Sequence, residues 1–332
     1  TVTWVVYVVA VRAKVVVTEY GRAASASLAR AIVDAKVGAA LAPVTVVVPS
    51  NFAGLAARRM LGSGDLGVAG VANVNFVTPF RLAELLAVGE LRGRKPLTKP
   101  VLGAAVRRAL ADDPWHFRNV RDHRSTEQAL SVAVGELSNV SAAGREAIRS
   151  HGDHAAAIIE LFDAIKSHLQ GFHDEADVAR AAAHRNDLSQ VILPFGHLIW
   201  HLPGPVSTPL ASFLGAALGA APATVIVALS GTAAADGEVA RTMGIAGVDF
   251  PQAHLDGETE PPRADHIISV TDADEEVRAV LREIIQLVDQ GTPLDRIGVF
   301  HPAPDPYVRI LEQQFAAADI PANGPSRRRV SE

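Results

Sequence analysis

Apolar and polar positions along the chain change rhythm twice, and the changes divide it into three zones. In the first, residues 1 to about 84, Val44-Thr-Val-Val-Val48 is an apolar run of strand length, the pattern of a strand buried on both faces of a parallel sheet. Pro49-Ser-Asn51 turns the chain, and Phe52 to Leu61 reads as a helix. A Gly-rich loop leads to a second strand, Val71 to Val77, and Thr78-Pro79 opens another helix with proline near its first turn. Upstream, the apolar run Val5 to Val17 is broken by Arg12 and Lys14 and lacks about 18 clean apolar residues. It therefore predicts a buried strand and not a membrane anchor. Strand-turn-helix units in series predict a doubly wound α/β layer.

The second zone, residues 85–187, carries almost no strand signal. Val101 to Leu110, Thr126 to Leu137, Ala142 to Arg149, Ala155 to Leu169 and Glu175 to Ala183 read as helices. Ile158, Leu161, Phe162, Ile165 and Leu169 follow the spacing of one buried helix face, so the zone is expected to be an all-helical insertion. Strands return in the third zone, at Val191 to Leu193, His197 to Leu202 and Thr224 to Leu229. A Pro/Gly/acidic linker, Pro251 to Pro262, separates residues 188–258 from 259–332. After it the pattern predicts strand Ile267 to Val270, helix Asp274 to Gln290, strand Ile297 to Phe300 and helix Tyr307 to Ala318. Asp272, Asp274, Glu275 and Glu276 suit the N-terminal dipole of the first of these helices.

Composition narrows the classes of function. The 332 residues are 48% hydrophobic and 20% charged, as in a globular protein, and contain no cysteine. Disulfides, thiolate metal sites and cysteine nucleophiles are excluded, and a cytoplasmic location without a membrane partner is expected. A net charge of −5 provides no global basic field, so any nucleic-acid contact has to be local. Basic residues do cluster, at Arg58-Arg59, Arg81, Arg92-Gly-Arg94-Lys95 with Lys99, Arg107-Arg108 and Arg327 to Arg329. Trp4, Trp115 and Trp200 do not interleave with them and are expected in the core.

Between Tyr20 and Ile32 the chain reads Y-G-R-A-A-S-A-S-L-A-R-A-I, the outline of a phosphate-binding loop without its working residues. Such a loop needs G-x-x-x-x-G-K-[ST], with a lysine on the phosphates and a hydroxyl on Mg²⁺. Gly21 stands as the first glycine, Ala26 and Ser27 replace the Gly-Lys pair, and Arg22 and Ser25 complete a degenerate nucleotide site. A helix N-terminus can still hold an anion, but no catalytic residue is expected. His173, Asp174, Glu175 and Asp177 lie too close in sequence to converge on a metal and read as a helix cap. His151-x-x-His154 has no further ligand beside it, so no metal site is expected, and neither H-E-x-x-H nor G-x-S-x-G occurs.

Four segments in order carry a family resemblance. Pro49-Ser-Asn51 with Ala53 to Arg59 resembles the Thr-x-x-Asn-x-Ala-Ala motif of superfamily 1 DNA helicases of the UvrD type, and Phe76-Val-Thr-Pro-Phe-Arg-Leu82 resembles their Thr-Phe-His-Ser-Phe motif. Ser269 to Val277, then Asp295 to Phe300 with Val308 to Glu312 and Asp319-Ile-Pro321, are similar to the start of that family's second domain. Within it the chain looks most like AddB- or RecC-type subunits of recombination nucleases, as the N-terminal part of a longer protein. The resemblance implies a RecA-like α/β domain with a helical insertion and the start of a second RecA-like domain.

It also implies a helicase-like module holding single-stranded or forked DNA in double-strand-break repair and recombination, beside an ATPase or helicase partner. Ser50, Asn51, Thr78 and Phe80 would contact the strand, and Arg58, Arg81, Arg92, Arg94 and Lys95 would neutralise phosphates. The chain departs from a working helicase at every catalytic position. His201-Leu-Pro-Gly stands where Asp-Glu-x-Gln belongs, Ala228 to Ala234 keeps only a small-residue loop, and His301-Pro302 replaces an arginine. ATP and Mg²⁺ are expected only under a second reading, an active helicase or exonuclease subunit with non-standard motifs. A third is a protein-interaction scaffold without nucleic-acid affinity.

Overall fold

The computed structural model describes residues 6–8, 13–67, 70–112, 116–249 and 266–324. Expectations for Trp4, Val11, Arg12, Trp115, the linker 251–262 and Arg327 to Arg329 lie outside these residues or largely so. Two compact units divide the chain, residues 1–260 and 261–332. The first is α/β around a mostly parallel sheet, compatible with the RecA-like fold expected.

The N-terminal apolar run is not one strand. It forms β1 (Val6–Val8) and β2 (Ala13–Glu19), paired antiparallel with Tyr7 opposite Val15. Then follow α1 (Arg22–Ala35), β3 (Val44–Val47), α2 (Asn51–Gly62), β4 (Val74–Val77) and α3 (Pro79–Ala87). The strand expected from Val71 starts only at Val74, because Asn73 adopts φ 52 and its side-chain amide donates to the Leu41 carbonyl. After the insertion come α8 (Glu175–Ala183), α9 (Leu188–Val191), β7 (His197–His201), α10 (Thr208–Ala220), β8 (Ala223–Leu229) and α11 (Ala233–Ile245). Val191 to Leu193, expected as a strand, closes α9 and enters a 3-10 turn, Leu193–Phe195. Pro194 has no N–H for a ladder, and the Ile192 N–H bonds locally to Leu188.

The strand order is β1-β2-β8-β7-β3-β4, parallel from β2 to β4. Alternation along each strand separates two cores. Val44, Val46, Ile199 and Ile226 face α1 and α2, packing on Leu28, Ile32 and Leu61. Val47, Leu198, Trp200, Val225 and Val227 face the other way, onto Leu82, Phe213, Leu214 and Met243. Burying each large side chain contributes about 1.5–3 kcal/mol. Gly54 lets α2 sit low on the sheet, since a Cβ there would stand 3.3 Å from Val48 Cγ2 and 3.4 Å from Phe76 Cβ.

The insertion has its own core. Between β5 (Lys95–Pro96) and β6 (Phe172–His173), a two-stranded parallel pair, lie α4 (Lys99–Asp112), α5 (Arg124–Asn139), α6 (Ala142–Arg149) and α7 (Asp153–His168). Val106, Leu110, Leu130, Val134, Ile159, Phe162 and Ile165 form a cluster separate from the sheet. Of the zone read as insertion, α8 packs instead into the main core through Val178, Ala179 and Ala182. A charged weld joins the two bodies: Asp177 pairs with Arg94 at 2.9 Å, Arg180 at 3.0 Å and Lys166 at 3.6 Å.

The second unit contains α12 (Ala273–Asp289) and α13 (Pro304–Ala317). Asp272 caps α12 by accepting from the N–H groups of Asp274 and Glu275, and Ile310 is buried. The strands expected at Ile267 to Val270 and Ile297 to Phe300 do not form among the described residues. Strands need a neighbour for their N–H and C=O groups, and here Ile267 and Phe300 are 93% and 97% exposed. Of the four elements expected after the linker, the described residues therefore show the two helices. No described helix is long and apolar enough to cross a membrane.

Candidate functional site

Parallel strands bring their carboxyl ends to one edge, where ligands of open α/β sheets bind. The register sets Val47 beside Val77, so the turns after β3 and β4 are neighbours. At the first, Ser50 Oγ accepts the Ala53 N–H at 3.1 Å and caps α2; at the second, Thr78 Oγ1 accepts the Arg81 N–H at 3.3 Å and caps α3. α1 opens at the same edge after β2, with Gly21 at φ 84 as its N-cap and no side chain bonded to its first N–H groups. Three helix N-termini with their partial positive charge thus share the edge.

The degenerate nucleotide segment folds tightly. Only Tyr20 and Gly21 separate β2 from α1. Ser25 Oγ donates back to the Gly21 carbonyl at 3.1 Å and Ser27 Oγ to Ala23 at 2.9 Å, while Arg22 donates to the Asp65 carbonyl at 2.9 Å. The two hydroxyl protons are thus committed to α1 and the residue that caps it.

Two buried polar atoms lie under α1 without a partner among the described residues, Thr18 Oγ1 and His201 Nδ1. Val16 and Ile199 belong to the α1 face, so Thr18 and His201, two residues further along each strand, share it. His201 is only 4% exposed, and burial lowers its pKa to about 4, leaving a neutral imidazole at neutral pH. Leu202 beyond it adopts φ 56. On the neighbouring strand end, the buried Asp236 carboxylate accepts from the Ser230 N–H, the Ser230 hydroxyl and the Gly231 N–H. Partial burial, followed by the Asp236 charge, raises the Tyr20 phenol. Asp236 escaped the sequence reading, although Ser-Gly-Thr followed by an acid in the first turn of a helix is a recognisable capping pattern.

The residues expected on DNA fall into two groups. Ser50, Asn51, Thr78 and Arg81 sit at the edge; Asn51 is exposed as the first residue of α2, and Arg81 is exposed with Glu84 at 3.2 Å. Arg58 lies about two helical turns further on along α2, its guanidinium 5.1 Å from the centre of the Phe76 ring. Phe80, expected to stack on bases, is partly buried against the main core instead. Arg94 is likewise committed, donating to the Phe172 carbonyl and pairing with Asp177, so it fastens the insertion. α3 carries the chain roughly 13 Å from its N-terminus, which places exposed Arg92 and Lys95 at the base of the insertion, apart from the edge.

The acidic run after Gly171 is the cap expected of it. Asp174 accepts the Asp177 N–H at 2.8 Å, and Asp177 returns the bond to the Asp174 N–H at 3.2 Å. Among the described residues, no group of three or more His, Cys, Asp or Glu is placed to hold a metal ion. The edge therefore offers hydrogen-bond donors, helix dipoles and arginines, groups that suit an anion. No protein-family model and no curated protein matches the chain.

Proposed function

We propose that the chain is a helicase-like nucleic-acid-holding module of a DNA end-processing complex, acting in double-strand-break repair and recombination in the cytoplasm. Single-stranded or forked DNA lies along the carboxyl edge of the sheet, and a partner ATPase or helicase subunit supplies nucleotide turnover. The observation that carries this reading is the side-by-side start of α2 and α3, with Ser50, Asn51 and Thr78 presented together and Arg81 beside them. Each capping hydroxyl keeps its own proton to donate to a phosphate oxygen. The segment after β2 supports leaving turnover elsewhere, because its serines bond back onto α1.

The test is binding of labelled single-stranded, forked and duplex DNA between ~50 and ~200 mM salt, where phosphate contacts give a steep slope. Tighter binding at low salt with single strands or forks preferred is expected, and Asn51→Ala with Thr78→Ala should weaken it. Binding that ignores this pair of substitutions would remove the assigned roles. Absence of binding at every salt concentration would remove the reading.

A further inference from the structure

α2 turns an unusual face outward. Phe52 is 83% exposed and Leu55, one turn on, 46%. Arg59 continues the same stripe at the next turn and is also exposed. The opposite face, Ala53, Gly54, Ala57 and Leu61, is the one packed on the sheet. Arg58 and Arg59 are the charged residues of α2, and no carboxylate occurs between Asn51 and Gly62. An aromatic ring at the positive end of the helix, an aliphatic side chain one turn on and two arginines toward its C-terminal end complement a polyanion that carries flat apolar bases.

We infer that Phe52 is a stacking platform for one base of a single-stranded nucleic acid, with Arg59 on an adjoining phosphate and Asn51 at the base edge or sugar. The assignment rests on the DNA-holding reading and gives it a mode of contact: bases turn toward α2, and the strand is gripped through a ring as well as through charge. It also moves the aromatic role from Phe80, which packs inward, to a ring that is open to solvent. Stacking is tolerant of sequence because every base has a π-face, so Phe52 predicts a preference for single strands without a preference for any base.

Fluorescence anisotropy with a labelled oligonucleotide, its abasic counterpart of equal length and a duplex tests this on the whole chain. The wild type should bind the normal strand more tightly than the abasic one. Phe52→Ala should lose roughly tenfold on the normal strand, little on the abasic one, and keep the salt slope, while Phe52→Trp restores binding. Arg59→Ala should instead lower the salt slope by about one, the mark of a lost phosphate contact. Phe52 is exposed, so unchanged thermal melting of Phe52→Ala is expected and verifies folding. Equal binding of normal and abasic strands, or an unaffected Phe52→Ala, overturns the stacking role while DNA holding stands. A wild type that binds none of the three probes overturns both. A Phe52→Ala variant with unaltered DNA affinity but an altered oligomeric state assigns the face to a protein contact and also overturns it.

Discussion

Asp236 Oδ1 accepts both the backbone N–H and the hydroxyl of Ser230, each at 2.8 Å, and its other oxygen takes the Gly231 N–H at 2.9 Å. A carboxylate that is 2% exposed is satisfied only by such a set of donors. It therefore fixes the course of the chain after β8, beside the entrance to α1. Asp236→Ala should destabilise the protein by about 3 kcal/mol or more, since three donors lose one acceptor group. Asp236→Asn should cost less, because its amide oxygen still accepts. Urea unfolding of both variants checks the order, and equal losses would contradict it.

His201 makes stability depend on pH. Its folded pKa of about 4 lies below the ordinary histidine value, so the unfolded chain takes up the proton first as pH falls. The associated stability is complete above about pH 6.5 and is lost progressively toward pH 4, to a total of about 3 kcal/mol. Burial lowers His197 as well, with the same sign. Urea melts across this range should therefore show a shallower slope for His201→Leu than for the wild type; identical slopes would show that His201 does not titrate as described.

Backbone proximity ranks the glycines. A Cβ on Gly196 would stand 1.9 Å from the Pro43 carbonyl oxygen, at φ 69, and one on Gly215 would stand 2.2 Å from that of Ala246. Gly196→Ala and Gly215→Ala should each cost about 1–3 kcal/mol or more, as overpacking does. Gly21 is at φ 84 with open space around it, so Gly21→Ala meets backbone strain alone, about 1–3 kcal/mol. Thermal melts should put Gly196→Ala lowest, where clash and strain add.

Asp177 holds the insertion to the sheet. Burial pushes the neighbouring Asp174 carboxyl up, but the Asp177 N–H and the Lys166 ammonium outweigh it and hold the group below the usual carboxylate range. Asp177→Ala removes the shared partner of Arg94, Arg180 and Lys166 and should cost about 2 kcal/mol. Hydrogen exchange should accelerate at β5 and β6 while the cores of α4 and α7 keep their protection. Uniform acceleration through the insertion would mean that it has no independent core.

Periodicity made β3, β7, β8 and most helices legible, because each buries a continuous face or stripe. Val44 to Val47 and Ala223 to Leu229 are buried almost throughout, and such runs leave little choice of conformation. It misread elements whose state depends on partners. Ile297 to Phe300 has strand composition but no neighbouring strand among the described residues, and Val191 to Leu193 yields to Pro194 and a local turn. At the edge, the capping types of Ser50 and Thr78 were readable. The inward turn of Phe80 and the outward turn of Phe52 depend on tertiary packing; the acid at Asp236 had a local capping signal, but its depth of burial did not.

The bond from Thr45 Oγ1 to the Phe195 carbonyl, 2.8 Å long, joins positions 150 residues apart and, with the His197 N–H on the Pro43 carbonyl and the β3–β7 ladder, ties β3 to the segment entering β7. A chain that had to find this pairing through a fully open loop would fold slowly. The insertion changes the kinetics. Once its helices cluster and Lys95 lies against Phe172, the intervening chain is tied off, which roughly halves the loop and lowers its closure cost by about 0.6 kcal/mol. On this account the helical body nucleates assembly of the sheet. Substitutions that loosen its core, such as Ile165→Ala, should slow refolding in stopped-flow experiments even though they touch no strand.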